Sequence, residues 1–158
     1  MESINNLLLA SMPGTQQVLY SADYCKDPDA AASFPVEFLH TITIPVLPPH
    51  QLYLKIGCLV ILLRNLDPDN SLCNGTRLLV ESVSSRLLRC SILGTRRHGS
   101  IVQLPRIPLP APELDTGVAF TRLQFPVKLA FAMTINKAQG QSLNTISLQL
   151  NPEVFSHG

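Results

Sequence analysis

Much that would mark an enzyme or a membrane protein is missing from this 158-residue sequence. No apolar run approaches the roughly 20 residues that cross a bilayer. The longest clean runs, such as Cys58–Leu63, are strand-sized. The opening residues Met1-Glu2-Ser3-Ile4-Asn5-Asn6 carry no basic stretch ahead of an apolar core, so no secretory signal is read. An intracellular location away from membranes is expected. Charge is scarce as well: 15% of residues are charged and the formal net charge is +1, against 46% hydrophobic residues. A chain this apolar has enough surface to bury, which excludes disorder as its general state. The mean hydropathy of +0.21 points further, to apolar surface that meets a neighbour.

Cys25, Cys58, Cys73 and Cys90 include no C-x-x-C pair, and His40, His50, His98 and His157 do not cluster with them. Zinc sites draw ligands from close pairs, so buried free thiols are expected and no metal site is assigned. A working phosphate loop is absent too. Gly94-Thr-Arg-Arg-His-Gly99 has the right glycine spacing, but Ser100-Ile101 follows where Lys-Ser/Thr is required. The stretch reads as a hairpin turn. The carboxylate pairs Asp27/Asp29 and Asp67/Asp69 lie beside proline in turns, where solvated side chains are expected rather than acid–base catalysts. No catalytic residue is assigned.

The thirteen prolines shape what remains, since each restricts helix and central strand. Residues 3–12 predict a short helix, with Ser3 as cap, Ile4, Leu7 and Leu8 at helical spacing, and Pro13-Gly14 as the stop. Val18–Tyr20 predicts a strand, residues 23–35 an irregular stretch, and Glu37–Ile42 a turn or two of helix. Residues 45–50 read as a linker. From Leu52 the period becomes that of strands. Residues 52–56, Cys58–Arg64, Arg77–Val83, Arg86–Leu93 and Ser100–Leu104 follow in order, separated by turn residues. Short strands at this spacing suggest a small barrel or sandwich. Pro105–Pro112 reads as a second extended linker. An α/β pattern returns afterwards: a buried strand at Val127–Met133, a helix start at Thr134–Gln141, and a strand at Thr145–Leu150. Asn151-Pro152 opens another helix, and the short run to Gly158 suggests a cut terminus.

Basic residues are concentrated. Residues 76–106 hold six arginines (Arg77, Arg86, Arg89, Arg96, Arg97 and Arg106) against only Glu81. Arginines on strands and turns can track phosphates in a barrel groove, or they can form a solvated outer face. The richest segment is Leu129–Leu143. It offers a buried strand, then Thr134, Asn136 and Lys137, then Gly140 between Gln139 and Gln141. Ligands of α/β sheets bind beyond the carboxyl ends of strands, and helix-start amides suit phosphate.

Thr134-Ile-Asn-Lys-Ala-Gln-Gly-Gln-Ser-Leu143 resembles the late helicase motif of the petite-integration-frequency/RecD family of superfamily 1 DNA helicases. Three other stretches resemble the same family in the same order. They are Ile4-Asn5 through Asp23, the run from Leu47 through Arg77, and Gln124-Phe-Pro-Val127. The wording is most similar to versions carried by Helitron-type transposons. The resemblance covers residues 4–158. It implies a partial RecA-like parallel sheet interrupted by a small antiparallel SH3-like β-barrel. The implied division is residues 1–50 as the first segment of the second RecA-like domain, 51–120 as the inserted barrel, and 121–158 as the returning RecA-like segment.

By the same resemblance, Thr134 and Lys137 face the phosphates of single-stranded DNA. Asn136 stands where many relatives have His. Gln139, Gly140 and Gln141 lie toward the ATP γ-phosphate and couple the two sites. Arg96 and Arg97 join the nucleic-acid contacts from the arginine-rich hairpin. ATP and Mg²⁺ are cofactors of the full-length family. The phosphate loop, the Mg²⁺-binding acids and the arginine-finger motif do not occur in these 158 residues. The expectation is therefore a C-terminal-side piece of a helicase that binds no cofactor and hydrolyses no ATP alone. Its partners are single-stranded DNA and the family's N-terminal RecA-like domain, and its setting is the nucleus. A non-enzymatic nucleic-acid-binding module and a protein-packing scaffold are the alternatives.

Overall fold

The computed structural model describes residues 2–111, 113–133 and 139. Helix α1 spans Glu2–Ser11, so Ser3 sits inside the first turn and not at its cap. Its buried face is also not the apolar stripe that marks it in sequence. Asn5 and Leu9 are buried, while Leu7 is 71% exposed. The helix ends against Lys55, whose buried Nζ donates to the carbonyls of Ala10 (3.4 Å) and Met12 (2.7 Å). That amine satisfies acceptors which a helix end leaves orphaned.

Strands β1 (Gln17–Tyr20) and β2 (Ala22–Tyr24) follow. Helix α2 (Pro28–Ser33) is capped by Asp27, whose side chain accepts from the Asp29 N–H. The stretch read as irregular thus holds a strand and a helix. Three residues of strand and a six-residue helix are too short to produce a hydrophobic period. Helix α3 spans Val36–Thr41. Next come β3 (Gln51–Leu54), β4 (Leu59–Leu62), a single 3₁₀ turn at Pro68–Asn70, β5 (Arg77–Val83), β6 (Leu87–Leu93) and β7 (Ile101–Pro105). These agree with the strands expected between residues 52 and 104 to within a few residues.

The segment read as a second linker is instead strand β8, Ile107–Ala111. It lies at the edge of its sheet, and its prolines Pro108 and Pro110 are exposed while Leu109 and Ala111 are buried. An edge strand tolerates proline because only one side of its backbone needs donors. Helix α4 (Glu113–Thr116), β9 (Phe120–Gln124) and β10 (Val127–Leu129) complete the described elements.

Three sheets result. β1 pairs with β3; a five-stranded sheet runs β10-β4-β5-β6-β7; a three-stranded sheet runs β2-β9-β8. Every pairing among the described residues is antiparallel. The fold is thus a small mixed α/β domain of antiparallel sheets. The strand expected at Thr145–Leu150 and the helix at Asn151 lie outside the described residues. The main core joins Leu9, Leu19, Leu52 and Leu54 to the inward residues of the five-stranded sheet and to Phe125. A second cluster, Leu39, Leu47, Leu109, Val118 and Phe120, lies beneath α3.

All four cysteines are free, as expected, but only Cys58 and Cys90 are buried; Cys25 and Cys73 are half-buried. Burial raises the Cys58 pKa. Burial, then the Cys58 thiol and the Glu81 carboxylate, push Cys90 up to about 12. The thiolate is the reactive form, so both should resist alkylation. In native protein at pH 8, iodoacetamide is expected to label Cys25 and Cys73 at least about tenfold faster than Cys58 and Cys90. Peptide mapping over time would show this, and equal rates would contradict the packing described.

Candidate functional site

The arginine-rich hairpin joins β6 to β7. Gly94 and Gly99 take φ of +68° and +81°, which a side-chain-bearing residue rarely adopts. The tip is tied by its own hydrogen bonds. The Gly99 N–H donates to the Ile92 carbonyl at 2.8 Å, and the Arg97 N–H donates to Thr95 Oγ1 at 3.1 Å. The Gly94 N–H donates to His98 Nδ1 at 3.2 Å. Arg96 and Arg97 stand exposed on this ordered tip, and no carboxylate pairs with either among the described residues. Exposed Arg89 and half-buried Arg77 alternate with inward residues, so they share the sheet face turned away from the main core.

Arg106 is different. Its guanidinium donates to the carbonyls of Ser85 and Tyr20 and to Gln124 Oε1, and lies 4.9 Å from the Phe125 ring centroid. Partial burial holds its pKa below the ordinary arginine value. It ties the sheets together through these contacts.

The approach to the Thr134 motif is built from α1. The Asn5 amide donates to the Ala132 carbonyl (3.0 Å) and accepts from the Ala132 N–H (2.8 Å). One side chain thus pairs with backbone as a neighbouring strand would. Beside it lies a cavity of about 430 Å³, lined by Glu2, Asn5, Tyr53, Ile61, Lys128 and Met133 among others. Thr134, Asn136, Lys137, Gly140 and Gln141 lie outside the described residues. Gln139 is exposed in a turn.

The Arg96–Arg97 tip and strand β10, which precedes the Thr134 segment along the chain, lie apart in the five-stranded sheet. β10 and β7 are opposite edges of the five-stranded sheet, so four strand spacings, roughly 19 Å, separate them. The register adds to the separation. Lys128 lies in the row of Ile61, Arg77 and Leu93, next to the hairpin tip, and the chain then runs from Leu129 toward the other end.

Sequence reasoning missed a buried polar hub. The Arg122 and Asp23 side chains are 1% and 0% exposed, with Nη2 and Oδ2 2.7 Å apart. Arg122 Nε also donates to both Asp23 oxygens, and the remaining nitrogens donate to the carbonyls of Ile42, Pro48 and Leu39. Ser21 Oγ donates to Asp23 Oδ1 at 2.7 Å and lies 2.8 Å from His50 Nδ1. The His50 ring stacks on His40 with centroids 3.6 Å apart. Burial, then His40, lowers the His50 pKa; Asp23 opposes this and Arg122 adds to it. Gln124, fully buried, donates to the Leu19 and His50 carbonyls at 2.9 and 3.3 Å. Nothing in the spacing of these residues marks them, because the partners of Arg122 and Gln124 lie 74 to 105 positions away.

Residues 37–83 match the family model described as DNA helicase Pif1, 2B domain. An ATP-dependent DNA helicase Pif1 of Bdellovibrio bacteriovorus is 33% identical over 101 residues, 64% of this chain. An ATP-dependent DNA helicase PIF1 of Rattus norvegicus is 34% identical over 110 residues, 68% of this chain. The chain belongs with the Pif1-type helicases.

The matches span 22% and 16% of those two relatives' lengths. The crystal structure of Pif1 helicase from Candida albicans shares the fold at a TM-score of 0.61 and 24% identity, covering 89% of this chain and 35% of that one. A Bacteroides Pif1 bound to single-stranded DNA matches at 0.60 and 20% identity, covering 90% and 30%. The Pif1-type 2B match takes in α3 through β5. It therefore includes Arg77 of the arginine-rich stretch but stops short of the Arg96–Arg97 tip. No helix among the described residues is long and apolar enough to cross a membrane.

Proposed function

We propose that this chain is a part of an ATP-dependent DNA helicase that contacts single-stranded DNA and does not turn over ATP by itself. The observation that carries the reading is the ordered β6–β7 tip, which presents Arg96 and Arg97 to solvent with no acidic partner among the described residues. A fixed turn presents its cations without the entropy cost of ordering a loop. The single strand named with the Bacteroides relative supports DNA as the partner.

Thr134, Asn136 and Lys137 supply the second set of backbone contacts in this reading. Gln139, Gly140 and Gln141 couple them to ATP. The antiparallel run β4 to β7 forms an SH3-like barrel, and the segments around it form a RecA-like unit. ATP and Mg²⁺ are held with a further RecA-like domain, since the Gly94–Gly99 turn lacks the lysine of a phosphate loop. The working place is intracellular, in the nucleus, and a Helitron-type element is the proposed source.

A salt titration tests this. A fluorescent single-stranded oligonucleotide is expected to bind with an affinity that falls linearly on a log–log salt plot. Arg96→Ala with Arg97→Ala should weaken binding and reduce the slope by roughly 1 to 1.5. The same samples, given ATP and Mg²⁺, should release phosphate no faster than a protein-free control. A flat salt response or an unchanged slope would overturn the contact reading; DNA-stimulated turnover would overturn the ATP reading. The exposed Leu7 and Ile56, the latter 62% exposed, favour a packing scaffold as the second reading. That reading expects no DNA binding at any salt concentration.

A further inference from the structure

Ser21 has one hydroxyl proton and two close partners. The Asp23 carboxylate only accepts, so the hydroxyl donates to Oδ1. His50 Nδ1, 2.8 Å from the same oxygen, then carries a proton and donates to it. The neutral His50 ring therefore takes up a second proton on Nε2 and becomes a cation. That ring lies face to face with His40, with centroids 3.6 Å apart and planes 11° from parallel. An uncharged ring stacks well on a neutral or a charged one. Two imidazolium ions at that distance repel, because the stack leaves no room for water between them.

The groups around His50 do not offset this repulsion. Asp23 on β2 attracts a proton to the ring, but its charge is shared with the Arg122 guanidinium of β9, which repels one. The Tyr20 ring of β1 lies 5.7 Å away, tilted by 56°, and adds only a weak cation–π attraction. Burial first, and His40 second, hold the His50 pKa below its ordinary value. The unfolded chain, where the two histidines are apart, thus binds the proton at higher pH than the folded chain. The stability that the neutral ring contributes is present above about pH 6.5 and is lost as pH falls below it.

Helix α3, which carries His40, is lightly held. Six residues make too short a helix to stand alone, and Leu39 is its one buried residue. Arg122 donates to the carbonyls of Leu39 and Ile42 at 2.9 and 3.2 Å. The ring stack adds a tie to the turn that enters β3. We propose that the His40–His50 stack is an acid-sensitive latch, which holds α3 against that turn while at most one ring is charged and releases it when both are. A released helix withdraws the Leu39 and Ile42 carbonyls from Arg122, so the opening reaches the buried ion pair. The latch is separate from the DNA contacts proposed above and does not depend on them.

The test compares the full chain with His40→Phe, which keeps a stacking ring but carries no charge. Urea unfolding is measured at pH 7.5 and at pH 5. The folded-to-unfolded ratio of wild type should fall about tenfold further than that of the variant, the effect of one proton over one pH unit. Hydrogen exchange locates the opening. At pH 5 the Leu39 and Ile42 amides should exchange about tenfold faster in wild type than in His40→Phe. If the variant fails to fold, wild-type NMR decides. The His40 and His50 ring signals should titrate in two separate steps, with the α3 amide signals moving in the second. Equal acid losses in the two proteins, equal exchange at pH 5, or titration of both rings in one step with α3 unmoved would each overturn the proposal.

Discussion

Arg122→Ala is expected to destabilise the protein by about 3–5 kcal/mol, the usual cost of removing one partner from a buried ion pair. Three consequences combine. The Asp23 carboxylate loses its counter-charge where its side chain is 0% exposed. The carbonyls of Leu39, Ile42 and Pro48 lose a shared donor, and each buried acceptor left without one costs further. The large side chain also leaves a void beside Phe120, whose ring centroid lies 5.4 Å from the guanidinium carbon. Native domains are stable by only about 5–15 kcal/mol, so the variant would sit near its unfolding threshold. Arg122→Lys keeps the charge but not the planar fork, and should recover part of the loss. Urea denaturation measures both, and a loss below about 1 kcal/mol for Arg122→Ala would show that the hub is not structural. Replacing Arg122 and Asp23 together by apolar residues is expected to cost less than Arg122→Ala alone, because no buried charge is then stranded.

Phe125→Ala is expected to cost about 3–5 kcal/mol as well, by a different route. Phe125 is fully buried in the main core, between the residues of β1 and β3 and the five-stranded sheet. Its ring also carries the Arg106 guanidinium. The variant creates a cavity and removes the surface on which Arg106 is held. Phe125→Leu refills most of the volume and should cost roughly 1–2 kcal/mol, largely the cation–π contact. Thermal or urea unfolding separates the two. Equal losses for Leu and Ala would mean that the Arg106 contact, and not the packing, dominates.

The strands between residues 52 and 104 were legible because each is half-buried on a regular pleat and bounded by turn residues. Arg77–Val83 coincides with β5 because apolar Leu78 and Val80 alternate with outward side chains there. The Gly94–Gly99 turn was legible from its glycines, which alone take the positive φ required. β8 was not, because Pro108 and Pro110 speak against a strand until the edge position is known. The buried face of α1 was misleading for a related reason. Asn5 is buried because a backbone 127 positions away needs both its donor and its acceptor, whereas Leu7 has no such partner.

By itself the sequence determined the family resemblance, the thiol state of the cysteines, the central strands and the exposed arginine turn, all of which depend on neighbours a few residues apart. Tertiary structure alone decided which polar residues are buried and what satisfies them. Asp23 with Arg122, Ser21 with His50, and Gln124 with Leu19 are joined across 29 to 105 positions. Hydrogen bonds and ion pairs have a reach of about 3 Å in space and no period along the chain. Only the folded arrangement of the three sheets turns that scattered set into one hub.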